Sequence, residues 1–156
     1  MAILGEAVDI HTDAETAFSL LCAVEKWPVW LSLLRSAELS HPQAPLQLGS
    51  EVIVRSAIPG EPEELFEVDR FIRNFHLSLV GAFSTRRRLD FRIERKTTRS
   101  KLHARVEYPS YGGKVGALCD SVLVARRLAS RFRESLTHFK HLAEFDRRKE
   151  APLEDF

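Results

Sequence analysis

Between Leu118 and Ala143, apolar residues recur at alternating steps of four and three: Leu118, Val122, Ala125, Ala129, Phe132, Leu136, Phe139 and Ala143. This spacing draws one narrow stripe along an α-helix of about seven turns, roughly 40–45 Å long. A helix of that length with a single stripe has to lie on a broad apolar surface. The rest of the chain must supply it.

The segments before it have the right pattern. Arg87 to Arg95 alternates Leu89, Phe91 and Ile93 with Asp90, Arg92 and Glu94. Lys101 to Tyr108 alternates Leu102, Ala104, Val106 and Tyr108 with His103, Arg105 and Glu107. One-sided alternation marks an antiparallel sheet with one wet face and one buried face. Ile3–His11, Ser36–Ser40, Glu51–Ile58, Glu64–Arg73 and Phe75–Phe83 read as further strands, with turns at Pro59-Gly60-Glu61-Pro62 and near Asn74. After the first strand, Thr12 or Asp13 caps a helix carrying Ala17, Phe18, Leu21 and Val24, expected to end near Glu25. Pro28 suits the first turn of a second short helix over Trp27–Leu34. The fold class is therefore α+β: a curved antiparallel sheet of six or seven strands around a long C-terminal helix, with two short helices after the first strand. Residues 1–146 are expected to form a single domain. Residues 147–156, charged and carrying Pro152, are expected to fray as a tail.

The 156 residues suffice for one domain with a substantial core. A formal net charge of +1 gives no whole-molecule field to draw in nucleic acid. No apolar run reaches 18 residues, so no membrane span is expected. Met1–Ile10 has no basic leader and is interrupted by Glu6 and Asp9, which reads as a cytoplasmic protein. Cys22 and Cys119 form no CxxC pair and are expected as buried or half-buried thiols. No cofactor is expected: GxSxG, HExxH, P-loop and GxGxxG motifs are absent. The oligomeric state is open.

Three stretches resemble a known family. Asp13–Leu21 followed by Glu25-Lys26-Trp27-Pro28-Val29-Trp30 is similar to the first helix and the WPxW entry to the second in the START-like (SRPBCC) superfamily, which includes polyketide cyclase/dehydratase and lipid-transport proteins. Leu48-Gly49-Ser50-Glu51-Val52 resembles the glycine that opens the third strand there. Arg133–Glu144 resembles the closing helix. The resemblance spans residues 2–146 and implies a helix-grip fold. It implies a cavity between sheet and helix for a lipid, sterol, polyketide or other small apolar molecule. It carries no shared catalytic residue.

The expected pocket lining is Trp27 and Trp30 at the mouth, with Leu34, Val54, Ser56, Phe66, Val68, Phe91, Leu102, Tyr108, Phe132 and Leu136 facing inward. A binder of a small hydrophobic ligand is the leading expectation. The alternative is a polyketide cyclase/aromatase or dehydratase using the same cavity, for which Tyr108, Arg70 and Ser56 are the candidate inward polar groups. Glu134, His138 and His141 share one helix face, but each sits two positions after a stripe residue and so belongs on the solvent side. Arg126, Arg133, Lys140 and Arg147, with Arg86-Arg87-Arg88, read as a solvated mixed-charge surface. Glu67, Asp69, His76 and His103 are expected on the outer, exposed face of the sheet.

Overall fold

The computed structural model describes residues 2–57, 59–82, 87–108 and 117–150, the side chains of 2, 108, 117–125 and 146–150 excepted. The period-two segments become seven strands: β1 Ala2–Ile10, β2 Leu34–Leu39, β3 Glu51–Ser56, β4 Glu64–Ile72, β5 His76–Gly81, β6 Arg88–Arg95 and β7 Ser100–Tyr108. They pair antiparallel in the order β1-β7-β6-β5-β4-β3-β2. Strands β2 to β7 form a meander, and β1 joins its far edge beside β7. Helix α1 (Ala14–Cys22), a short 3-10 turn (Val24–Lys26) and helix α2 (Trp27–Trp30) follow β1. Helix α3 (Ala117–Glu150) closes the chain and packs on β1, α1 and α2.

The register puts the apolar residues of every strand on one face. Val52 and Val54, Phe66 and Val68, Leu77 and Leu79, Phe91 and Ile93, and Leu102 and Ala104 are all buried there. Helix α3 covers this face with Leu128, Phe132, Leu136, Phe139 and Ala143. Leu118, Val122 and Ala125 of the stripe lie outside the described side chains. Burying a large core side chain such as Phe132 or Phe139 is worth about 3–5 kcal/mol against alanine. Three polar ties fix the helix in place. The Ser135 hydroxyl accepts from Ser32 N at 3.0 Å and donates to Arg131 O at 2.8 Å. Glu144 accepts from His11 N at 3.0 Å and from Lys140 Nζ at 2.6 Å. Arg133 reaches Glu6 on β1 at 3.2 Å. Burial alone would raise the Glu144 carboxyl, but the bonds from Lys140 and His11 hold it below its usual range.

Three sequence expectations need correction. The second helix ends after one turn at Trp30. Leu31 is extended (φ −96, ψ 93), and Leu34 pairs with Ser56 as the first residue of β2. Pairing with β3, including Ala57 N to Leu33 O at 2.9 Å, outweighs the helical propensity of the Leu31–Leu34 run. Helix α3 has 34 residues, about 51 Å, and continues to Glu150 through residues expected to belong to the tail. In β4 the register shifts between Val68 and Arg70, so the strand carries a bulge at Asp69. Asp69 and Arg70 both end up on the outer face, and Phe71 turns inward against Phe18 at a centroid distance of 5.5 Å. Elsewhere the tight turns are supplied by left-handed backbone, at Asn74 (φ 63) between β4 and β5 and at Gly60 (φ 85) between β3 and β4. Among the described residues no helix is long and apolar enough to cross a membrane.

Helix α1 starts at Asp13, which accepts from Thr16 N at 3.2 Å and from the Thr16 hydroxyl at 2.7 Å. Burial pushes its carboxyl up, but the Thr16 hydrogen bonds win and hold it at about 2. Asp13→Ala should cost about 1 kcal/mol at neutral pH, measured by urea unfolding. Because the folded pKa lies below the unfolded value near 3.9, the contribution is complete above about pH 4. The gap between wild type and variant should therefore narrow as pH falls toward 2. A gap independent of pH would contradict the cap.

Candidate functional site

The space between the sheet and α3 has two differently packed ends. At the α1–α2 end it is filled by large rings. Trp30 meets Phe139 at 4.9 Å and Phe91 at 6.2 Å, both close to edge-to-face, and Trp27 meets Phe91 at 6.1 Å. Trp27, Trp30, Phe91, Phe132 and Phe139 each have 0% exposure. The Trp27 indole donates to Leu21 O at 2.8 Å, and the Trp30 N–H has no hydrogen-bond acceptor among the described residues.

The opposite end is lined by smaller groups and is not filled. Leu4, Leu31, Leu33, Leu34, Val54, Phe66, Leu89, Val106 and Leu128, with Ser56, Glu61 and Arg87, surround a cavity of about 60 Å³. Leu4, Leu89, Val106 and Leu128 keep 6–8% exposure where the rings at the other end keep none, so the cavity communicates with solvent. Such a volume admits a few water molecules and falls short of the roughly 300–1,000 Å³ of pockets that enclose drug-sized ligands. A larger occupant requires these aliphatic side chains to give way.

The polar groups sit on one wall. Arg87 grips Glu64 with two bonds, Nη2 to Oε1 at 2.6 Å and Nε to Oε2 at 3.1 Å. Its guanidinium lies 5.9 Å from the centre of the Phe66 ring. Glu61 follows Gly60 in the β3–β4 turn and places an oxygen where solvent does not reach.

Of the residues expected to line a pocket, the structure brings Leu34, Val54, Ser56 and Phe66 together at the cavity. Val68, Phe91, Leu102, Phe132 and Leu136 face inward as expected but fill the core. Trp27 and Trp30 are not at a mouth; they are the centre of the packed end. The Tyr108 side chain lies outside the described residues, as do those of Cys119 and Arg147 and the whole of Arg86. Arg70 points outward because of the bulge and cannot serve the cavity. The alternation did carry Leu89 and Val106 onto the inner face, but Leu4, Leu31 and Leu33 gave no separate signal. Glu61 and Arg87 read as turn and surface charges, and nothing in their spacing marks them as cavity groups.

The outer face holds one surprise. His76, expected to be exposed, is buried at 4%. It pairs with Asp90 on the neighbouring strand, and Ser78 beside it accepts from Arg88 at 2.8 Å. Arg92 reaches Asp90 at 3.4 Å and the Phe75 ring lies 6.0 Å from the His76 ring, so the wet face of the sheet has a partly buried polar layer. His103 stays exposed against Glu94 at 2.9 Å, and Glu134, His138 and His141 are exposed on α3. Cys22 is a half-buried thiol whose burial pushes it up to about 12, which leaves it unreactive at neutral pH. A broad depression of about 1,110 Å³ on the outer face, near Gly5, Phe75 and Arg105, is bordered by Arg95, whose side chain is 63% exposed; it is open surface and not an enclosure.

No family model matches this chain, and no curated protein matches it. Solved structures do. A protein from Thermus thermophilus superposes with a TM-score of 0.71 at 12% identity over 93% of this chain and 99% of its own. The Zhui aromatase/cyclase from Streptomyces sp. R1128 gives 0.63 at 14% over 96% of each. A START superfamily protein from Mycobacterium smegmatis gives 0.55 at 18% over 85% and 97%. The fold is the START-like helix-grip fold that these structures share. Identities this low establish the architecture and no activity. In START-like terms, the seven strands are the grip and α3 the gripped helix.

The two tryptophans separate hydrogen bonding from packing at the filled end. Trp27→Phe and Trp30→Phe remove the same ring, but only the first removes a hydrogen bond. Trp27→Phe should be the more destabilising by about 1 kcal/mol in urea unfolding. Equal losses would contradict this account of the two indoles.

Proposed function

We propose that this chain binds a small hydrophobic molecule, lipid, sterol or polyketide-like, in the cavity between the sheet and α3. The observation that carries the reading is the unfilled apolar end of an otherwise tightly packed core. Protein interiors pack to crystal-like density, and an open end next to an end plugged by five aromatic rings is a departure from that norm. Nine apolar side chains with polar groups on one wall match the usual make-up of a small-molecule site. The small volume fits a site that opens as its ligand enters. The aromatase/cyclase among the similar folds gives the second reading, a cyclase or dehydratase. Its support within the cavity is Glu61, a carboxylate able to accept a proton from a bound substrate.

A native mass spectrum of the protein as purified should show a retained small molecule, or the melting temperature should rise by several degrees with saturating sterol, lipid or aromatic polyketide. Val106→Phe, which fills the cavity from β7, should abolish either effect while leaving the fold intact by circular dichroism. Binding undiminished in this variant would place the ligand elsewhere. The absence of both effects in the wild type would remove the reading.

A further inference from the structure

Glu61 is the cavity group without an explanation. Its Oε1 is cut off from solvent and meets no hydrogen-bond donor among the described residues. Carboxylate oxygens in such positions are normally paired, because each lost partner leaves the full cost of desolvation. Among the described residues, the arginine that shares the cavity lining and the one on β3 are already committed. Arg87 uses both Nε and Nη2 on Glu64, and Arg55 donates to Glu63 at 2.7 Å. Of the ionic residues lining the cavity, Glu61 and Arg87, only Arg87 has its charge matched among the described residues. The wall therefore presents an unsatisfied carboxylate oxygen beside an apolar space, with no cation bonded to it among the described residues.

We propose that the cavity selects apolar molecules ending in a hydrogen-bond donor that carries no negative charge, a hydroxyl or an amine, and that Glu61 Oε1 receives that donor. The proposal rests on the cavity being the ligand site. It narrows the ligand class in a direction that composition does not suggest. A carboxylate-ended molecule of equal length, such as a fatty acid, meets like charge in a poorly solvated site and is rejected. An ether of equal length offers no proton and leaves Oε1 as it was. A site built to pair one polar group discriminates strongly against analogues lacking it, because the unmatched group stays buried. Glu61 lies on a turn and makes no bond through Oε1 to the described residues, so replacing it leaves the fold standing.

The test uses four probes with one alkyl chain: octanol, octylamine, methyl octyl ether and octanoate, titrated by calorimetry into the full chain and into Glu61→Gln and Glu61→Leu. Octanol and octylamine should bind wild type at least about tenfold more tightly than the ether or octanoate. Glu61→Gln, whose amide can donate, should improve octanoate and weaken octylamine. Glu61→Leu should bring octanol and the ether to equal affinity. Melting temperatures of both variants should match or exceed wild type. Saturable binding of all four probes with the same ranking in every variant overturns the role of Glu61 and leaves the cavity reading intact. Tighter binding of octanoate than octanol to wild type also overturns it. Failure of all four to bind overturns the inference and the cavity reading together.

Discussion

A seven-stranded sheet that is apolar on one side only must have that side covered, and here a single helix does most of the covering. The rest of the structure depends on this constraint. Every strand contributes inward residues, from Val52 and Val54 on β3 to Leu102, Ala104 and Val106 on β7, and α3 lays Leu128 through Ala143 across them. One helical stripe is narrower than seven strands. The uncovered width has to be taken up by something else, and the chain solves this differently at the two ends. At one end α1 and α2 swing in with Phe18, Trp27 and Trp30. At the other the aliphatic residues around Leu128 and Val106 leave space.

That asymmetry is where function becomes possible. Rings with edge-to-face contacts fix the packed end, and the Ser32–Ser135 and His11–Glu144 bonds hold the helix there. The open end then has a firm base to work against. Its polar wall comes from the β3–β4 turn and from the residue that precedes β6, so the polar groups that line the cavity lie where connections change and not in the regular middle of the sheet. Loops on a rigid scaffold are the usual place for such groups.

The sequence was most legible where a single rule governed. Alternation in Leu89–Ile93 and Leu102–Val106 placed those residues on the inner face without ambiguity, and the four-three spacing placed Phe132, Leu136, Phe139 and Ala143. It was least legible where two rules competed. The bulge at Asp69 moves Arg70 outward and Phe71 inward, and no residue there announces the extra step. Leu31–Leu34 reads as helix by propensity but is claimed by strand pairing with Ser56 and Ala57. His76 alternates like an exposed residue, yet it is buried in contact with cross-strand Asp90 and the Phe75 ring. Trp27 and Trp30 look like a gate because large aromatics suit either role, and only their position against Phe91 and Phe139 decides it. Glu61 is silent in sequence, since its place in the cavity lining arises from where the turn folds.

The claim underlying all of this is that the cavity beneath α3 is the place where a small apolar molecule sits. Methyl-resolved NMR during titration with octanol tests it most directly. The account predicts saturable shifts at Leu31, Leu34, Val54, Leu89, Val106 and Leu128, with the packed end around Leu21 and Leu77 unmoved. Shifts confined to outer-face groups such as Ile3 and Ile72, with the cavity methyls unchanged at saturation, would contradict it.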